Sequence, residues 1–240
     1  MPNFSASLSR RALLGAAMFA GATSRTLAQS KPKPKIGIIG SGHIGGTLAR
    51  LWTEAGYTVM LSARDLGPVR QLAAQLGPNA RVGTPAEAAA FGDVVLISVP
   101  YGALPQIGRD YAAQLKGKVV LDTCNPYLAR DGEMAREAIE KGTGVMDPIY
   151  LPGTRLVRAF NAISSVALDR EAHRAGEPFG IELAADDPAA LAIAKQLVVA
   201  AGFEPVVVGG LADAKKFDPG TPVYPKAMPA SQMRAMLGLN

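Results

Sequence analysis

The chain has 240 residues, 48% hydrophobic and 19% charged, with a formal charge of +5. That length buries one sizeable core, or a core with a small companion, without covalent staples. A single cysteine, Cys124, excludes an internal disulfide framework and a multi-cysteine metal site, and two histidines far apart, His43 and His173, show no metal-ligand spacing.

Met1 to Ser30 carries a basic step at Arg10 and Arg11, an apolar and small-residue run from Ala12 to Ala22, and a candidate cleavage site after Thr26-Leu27-Ala28. This predicts a signal peptide over residues 1–28, whose apolar run is too short to span a bilayer, so no membrane span is expected in the mature protein. Ser9-Arg10-Arg11-Ala12-Leu13-Leu14 resembles the twin-arginine type, which exports folded cargo and points to a periplasmic or secreted protein; a misread segment would leave it cytoplasmic. Cleavage removes three arginines and no acid, so the charge of +5 becomes +2. Little is then left to attract nucleic acid. Lys31-Pro32-Lys33-Pro34-Lys35 forms a stiff, solvated lead into the first strand.

Ile36, Ile38 and Ile39 make a β-branched, nearly all-apolar run of the kind buried on both faces of a parallel sheet. It breaks into Gly40, Gly42 and Gly45 at the spacing G-x-G-x-x-G, and Ile44 to Ala55 continues with helical composition up to Gly56. Strand, tight turn and helix are the context in which a pyrophosphate sits against main-chain N–H groups at a helix N-terminus. Gly40 permits the turn, Gly42 the approach of the ligand, and Gly45 the packing of helix on strand.

Thr58 to Leu61 is a second strand, ending in Ser62-Ala63-Arg64-Asp65. In a dinucleotide fold this end faces the adenosine ribose, where a carboxylate holds a 2′-hydroxyl and an arginine suits a 2′-phosphate. Arg64 favours NADP, Asp65 beside it argues the other way, and the Ser62 hydroxyl is in reach of the same phosphate. Pro68 to Leu76 reads as a helix with Gly77 beyond its end. Thr84-Pro85-Ala86-Glu87 is a capping box opening a short helix to Phe91.

Val94 to Val99 is the most strand-like run and stops at Pro100; a helix follows Gly102 and ends near Leu115. Lys118 to Asp122 is the next strand, closed by Thr123-Cys124-Asn125-Pro126. The strand ends at Val99-Pro100 and Asn125-Pro126 lie with the glycine turn at the carboxyl edge, over which ligands of open α/β sheets sit. Asp131 to Tyr150 is expected to be a short helix and a Gly/Pro loop without chemistry.

Leu156 to Phe160 is a strand followed by Asn161-Ala162-Ile163-Ser164-Ser165, and Gly180 to Ala184 is another. Asp187 caps and Pro188 begins a helix stopped by Gly202. Pro205 to Val208 is the last strand. A tail with Pro219, Pro222, Pro225 and Pro229 is predicted to wrap the surface before a short helix over Ser231–Leu237. Strand and helix alternate without a repeat, so the fold class is α/β: a doubly wound Rossmann-type parallel sheet. The expected division is a signal peptide at 1–28, an NADP-binding part at 29–155, and a small C-terminal α/β part at 156–240 that completes the cleft.

The glycine turn, the serine/arginine strand end, D-V-V-L-I-S-V-P-Y, K-V-V-L-D-T-C-N-P-Y, L-V-R-A-F-N-A-I, and A-A-D-D-P followed by A-G-F-E-P-V-V-V-G-G-L cover nearly all of Lys35 to Leu211. As an ordered set they resemble the NADP-dependent reductases typified by the NADPH:deazaflavin-coenzyme oxidoreductases, and the same fold is similar to the cytosolic domain of membrane ferric reductases. The resemblance implies NADP as cofactor, with Ser41, Gly42, His43 and Ile44 along the pyrophosphate and Ala63 and Arg64 at the 2′-phosphate. Val99 and Pro100 would lie against the nicotinamide, and Asn161 to Ser165 would close the cleft near the acceptor. The tail after Leu211 departs from the family's usual final helix. Dehydrogenases of the hydroxyisobutyrate type and pyrroline-carboxylate reductases begin with a similar turn but add a long all-helical domain, for which too few residues follow Val157.

Hydride transfer between stacked rings asks the protein for approach and orientation more than for acid and base, so no dedicated catalytic residue is expected. The reading is an NADP-dependent oxidoreductase passing hydride from NADPH to a flavin-like or deazaflavin second substrate. A ferric-chelate reductase-like activity and a non-catalytic NADP-binding protein are the alternatives. The partner expected is a small-molecule hydride acceptor, with a second copy in a homodimer as one option and no nucleic acid or metal.

Overall fold

Short apolar runs bounded by glycine, proline or asparagine become strands, and the small-residue, alanine-rich stretches between them become helices. The computed structural model describes residues 2–3 and 32–239, so the predicted signal segment, apart from residues 2 and 3, lies outside the described residues. β1 (Ile36–Ile39) leads through the glycine turn into α1 (His43–Glu54), and β2 (Val59–Ser62) leads into α2 (Leu66–Leu76). β3 (Ala80–Val82) is a strand not foreseen; it is followed by α3 (Pro85–Phe91), whose Thr84–Glu87 capping box forms as expected. Then come β4 (Val94–Ile97), a 3-10 turn, α4 (Leu104–Asp110), α5 (Ala112–Leu115) and β5 (Val119–Asp122).

The segment expected to be a short helix and a loop instead forms α6 (Leu128–Lys141) and α7 (Thr143–Tyr150). Of its glycines, Gly142 does end a helix, with φ 97° between α6 and α7. Gly132 does kink α6, with φ 58°, but Gly144 serves packing, because a Cβ there would come within 1.7 Å of Leu211 O. The remainder is β6 (Arg155–Ala159), α8 (Ser165–Arg170), β7 (Gly180–Ala184), α9 (Pro188–Ala200), β8 (Glu204–Gly209), the 3-10 turn Leu211–Phe217 and α10 (Ala230–Leu237).

One eight-stranded sheet in the order β3-β2-β1-β4-β5-β6-β7-β8 holds all the strands. Every neighbouring pair is parallel except β6 and β7. The chain switches direction of travel between β1 and β4, the place where the crevice of a doubly wound sheet opens. Four residue pairs join β5 to β6, from Val119↔Arg155 to Asp122↔Arg158, so the sheet runs unbroken past residue 155. Lys33–Asn240 forms one compact unit.

Alternate strand residues feed two cores, as expected where both faces of a parallel sheet are covered. Ile36, Ile38, Leu61, Leu96 and Leu121 pack with α1, α2 and α9 on one face. Ile39, Val95, Ile97 and Val120 pack on the other with side chains of α4 and α7. No helix among the described residues is long and apolar enough to cross a membrane.

β7 carries the one departure from apolar lining along that strand. Ile181 and Leu183 enter the core with α9, while the alternation turns Glu182 to the opposite face, between Gly180, whose Cβ would meet Met233 of α10, and Ala184, which packs on Phe217 and Val223. Glu182 is 2% exposed, its Oε1 has no hydrogen-bond partner, and burial raises its pKa from 4.5 to about 7. Between those values the folded chain holds a proton that the unfolded chain releases, so stability falls as pH rises through the window and is level on either side. The loss expected between pH 4 and pH 8 is about 3 kcal/mol from this group. Denaturant titrations at the two pH values should show that loss in the native chain, and Glu182→Gln should remove most of it.

Candidate functional site

The glycine turn after β1 is fixed by its own main chain. Ser62 O, at the end of β2, accepts from Gly40 N at 3.0 Å, from Ser41 N at 3.1 Å and from Ser41 Oγ at 3.1 Å. Gly40 has φ 98°, and a Cβ on it would lie 2.2 Å from Ser98 O. A Cβ on Gly45 would lie 2.1 Å from Gly40 O. Both glycines are therefore demanded by the protein itself. Gly42 is not: its backbone is extended, with φ −77°, and a Cβ there would meet nothing within 4 Å.

Gly42 is the N-cap of α1, no side chain caps that helix, and no acid lies in its first turn. The first N–H groups of the helix are thus free, and its partial positive charge is uncompensated. An open depression begins there, lined by Ser41, Gly42, His43, Thr47, Arg50 and Leu72. Arg50 is held at its edge by Glu54 at 2.9 Å and by Asp169 of α8 at 2.6 Å. His43 and Ile44 open α1, His43 exposed and Ile44 half-buried.

At the end of β2 the structure sorts out Ser62-Ala63-Arg64-Asp65. Ser62 is fully buried and its hydroxyl donates to Ile38 O at 2.7 Å, so it does not reach a 2′-phosphate. Its part is to tie β2 to β1 and to hold the turn. Asp65 caps α2, accepting from Gly67 N at 2.9 Å, which removes the rival carboxylate. Arg64 is exposed and Ala63 half-buried beside it.

The exits of β4, β5 and β6 complete the edge. Val99 stands against the turn, its Cγ1 2.8 Å from where a Cβ on Gly40 would be, and Pro100 is exposed. Asn125 and Asn161 meet across the ends of β5 and β6: Asn125 Nδ2 donates to Asn161 O at 2.7 Å, and Asn161 Nδ2 faces Asn125 Oδ1 at 3.4 Å. Ser165 is the first residue of α8, and the cap is its neighbour Ser164, whose Oγ accepts from Ala167 N at 3.2 Å.

Sequence reasoning missed a buried ionic cluster directly beneath these exits. Arg158 of β6 is 0% exposed. Its Nη1 donates to Cys124 O at 2.8 Å and lies 3.2 Å from Asp122 and 3.3 Å from Asp147, while Nη2 lies 3.7 Å from Asp218. Asp218 also accepts from Thr143 N at 3.0 Å and from Thr143 Oγ1 at 2.6 Å. Tyr101 OH donates to Asp147 Oδ1 at 2.6 Å. Three carboxylates surround one guanidinium, and burial together with the charge of Asp122 pushes Asp147 well above the usual carboxylate range. That favours the neutral form of Asp147, and Asp122 Oδ2 and Asp147 Oδ2 both lie buried beside the guanidinium without a hydrogen-bond partner. Burial likewise pushes the Cys124 thiol up, leaving it a packed residue rather than a reactive one. The signal in the sequence was an arginine inside the apolar run Leu156–Ala159, since a buried charge requires partners.

With the edge in place, comparisons with known proteins become informative. Residues 35–126 match the family described as NADP oxidoreductase, coenzyme F420-dependent. The match spans the glycine turn and the exits of β1, β2, β4 and β5. The chain is 29% identical over 205 residues to the F420-dependent NADP reductase of Methanothermobacter thermautotrophicus, covering 79% of this chain and 87% of that protein. It is also 29% identical over 195 residues to the metalloreductase STEAP3 of Rattus norvegicus, covering 78% of this chain but 36% of that protein. The chain thus spans about a third of that longer relative.

Among solved structures, a hypothetical protein from Sinorhizobium meliloti superposes with a TM-score of 0.69 at 22% identity, covering 82% of this chain and 96% of that one. An imine reductase from Myxococcus stipitatus in complex with NADP+ gives a TM-score of 0.56 at 17% identity, over 85% of this chain and 60% of that one. These likenesses establish the Rossmann-type α/β fold. From β6 onward strand and helix go on alternating, as expected, with no all-helical domain among the described residues.

Whether Asp147 carries a proton is open to measurement. Asp147→Asn keeps an acceptor for Tyr101 and a donor for Asp122, so its unfolding free energy should stay within about 1 kcal/mol of the native chain. Arg158→Met, which strands Asp122 and Asp218, should cost about 3–5 kcal/mol. Denaturant unfolding of the two variants compares them, and equal losses would refute the assignment.

Proposed function

We propose that the protein is an NADP-binding oxidoreductase that passes hydride between NADPH and a flavin-like or deazaflavin acceptor. Gly42 carries this reading. It is the glycine of the motif that its own fold does not require, and the space its missing Cβ leaves opens onto the uncapped start of α1. A bare main-chain cradle with free N–H donors fits a diphosphate. The family match over residues 35–126 and the likeness to an F420-dependent NADP reductase support the same cofactor and acceptor class.

When bound, the nicotinamide supplies the hydride, and the chain's own residues supply place. α1 and the turn hold the diphosphate, while Arg64, free of its neighbour's carboxylate, takes the 2′-phosphate. Val99 and Pro100 form the wall at the exit of β4, and Asn125, backed by the buried Asn161, offers a carboxamide at the exit of β5. The likeness to a metalloreductase supports a second acceptor class, a ferric chelate, reached from the same cleft. Turnover with flavin, deazaflavin and ferric chelate side by side separates the two.

The segment at residues 1–28 we read as a twin-arginine export signal on the strength of Arg10 and Arg11 before an apolar run. NADPH is not expected free outside the cytoplasm, so folded export would carry the nucleotide already bound. Sequencing the N-terminus of native protein tests the cleavage.

One titration series with NADPH and NADH tests the cradle and its selectivity together. Gly42→Val should keep the native melting temperature and lose both nucleotides. Arg64→Glu should weaken NADPH at least about tenfold more than NADH, because it removes a contact that only the 2′-phosphate makes. Retained affinity in the first variant, or equal loss of both nucleotides in the second, would overturn the corresponding assignment.

A further inference from the structure

The buried cluster and the carboxamide pair are two parts of one closed circuit. Arg158 Nη1 holds Cys124 O at 2.8 Å, and Asp122 Oδ1 accepts from Cys124 N at 2.8 Å. Both pin the exit of β5, and the next residue is Asn125. Asn125 reaches Asn161 O at 2.7 Å, and Asn161 Nδ2 reaches Phe217 O at 3.3 Å. Asp218 follows Phe217 and faces Arg158 Nη2 at 3.7 Å, so the circuit closes through an ion-pair contact rather than a hydrogen bond. The circuit passes through β5, β6 and the tail. Of its side chains Asn125 is half-buried and the rest are buried, so Asn125 is the member with surface left exposed, at the exit of β5.

A second observation falls on the same circuit. Phe160, between Arg158 and Asn161, has φ 57°, a left-handed conformation that a bulky residue adopts only where its surroundings enforce it. Its ring is locked edge-on to Trp52 at 6.2 Å, and Trp52 Nε1 is tied to Leu197 O at 2.9 Å. The strained turn is what brings Asn161 back onto Asn125.

We propose that Arg158 and Asp218 are positioning residues for hydride transfer: touching no ligand themselves, they hold the Asn125–Asn161 carboxamides and the tail in register at the nicotinamide end of the cleft. This rests on the NADP-dependent reading above. The cradle that binds the nucleotide's phosphates lies at the other end of the edge, at Gly40–Gly45 and Arg64, so binding and transfer are separable. Weakening the circuit should spare affinity and slow the reaction.

The test uses the full chain with Asp218→Asn, which lowers the charge of the tail anchor but keeps an oxygen for Thr143, and with Arg158→Lys, which keeps the cation. NADPH affinity and the single-turnover rate of FMN reduction at saturating NADPH are measured for each, together with tryptic cleavage at the exposed Lys226. For Asp218→Asn the dissociation constant should stay within about twofold, while transfer slows by about tenfold or more, the scale set by small misplacements of reacting groups. Cleavage in the tail should quicken. Arg158→Lys should fall between that variant and the native chain.

Should Asp218→Asn fail to fold, Thr143→Val removes only a hydroxyl donor to Asp218 and carries the same expectation in direction. Native-rate transfer in a variant whose tail is cleaved faster would overturn the inference and leave the functional reading intact. Parallel loss of affinity and rate would overturn it too, as the mark of a merely structural role. A native chain that binds NADPH yet reduces neither FMN, a deazaflavin nor a ferric chelate would sink the functional reading, and the inference with it.

Discussion

The constraint on which the rest depends is the close approach of three main-chain segments at the end of β1. Ser62 O takes two N–H groups of the turn, and Gly40 lies so near Ser98 O that only hydrogen fits between them. Gly45 in turn sits on Gly40 O. With those contacts made, β2, β4 and α1 have fixed positions around the turn, and the one glycine left without a protein neighbour opens outward. The cradle is a by-product of packing that is too tight for side chains, which is why its donors are preorganised without any capping residue.

The far end of the edge is built in the opposite way. There the exits of β5 and β6 are joined by side chains, and a guanidinium sealed from water gathers one carboxylate each from β5, α7 and the tail. A buried cation with partners on three segments adds little net stability over an apolar core, but it is unforgiving of misplacement, because a stranded carboxylate is costly. It thus specifies position more than it supplies strength. Asp147 fits this account: it accepts from Tyr101 OH and stands beside the same guanidinium, so its place is set from two sides.

Much of the fold was legible because most of the parallel strands are short, largely apolar runs followed within a few residues by a turn. The turn, the capping box at Thr84, the cap at Asp187 and seven of the eight strands could be read in this way. β3 escaped because it has three residues with Arg81 in the middle and is nowhere fully buried. α6 and α7 escaped because a glycine-rich sequence resembles a loop, whereas Gly144 is a spacer for helix packing. At the site, local residues such as Gly42 and Arg64 were readable from spacing. Ser62 was misassigned because sequence does not show that its hydroxyl turns inward to Ile38 O. The Arg158 cluster was out of reach for a different reason: its acids come from positions 122, 147 and 218, and only the sheet brings them together.

The reversal between β6 and β7 has an architectural consequence. Since β7 and β8 run against the other strands, the chain leaves β8 level with Ala184 and Arg158 rather than at a remote corner of the sheet, and the stretch from Asp218 to Pro229 must travel back along the mouth of the crevice to start α10. The connector sets Tyr224 against Tyr127, just past the exit of β5, and buries Val223 and Met228 on its way. A reversed strand pair at the far edge thereby lets the last residues of the chain take part at the carboxyl edge of a sheet whose last strand parallel to β1 is β6.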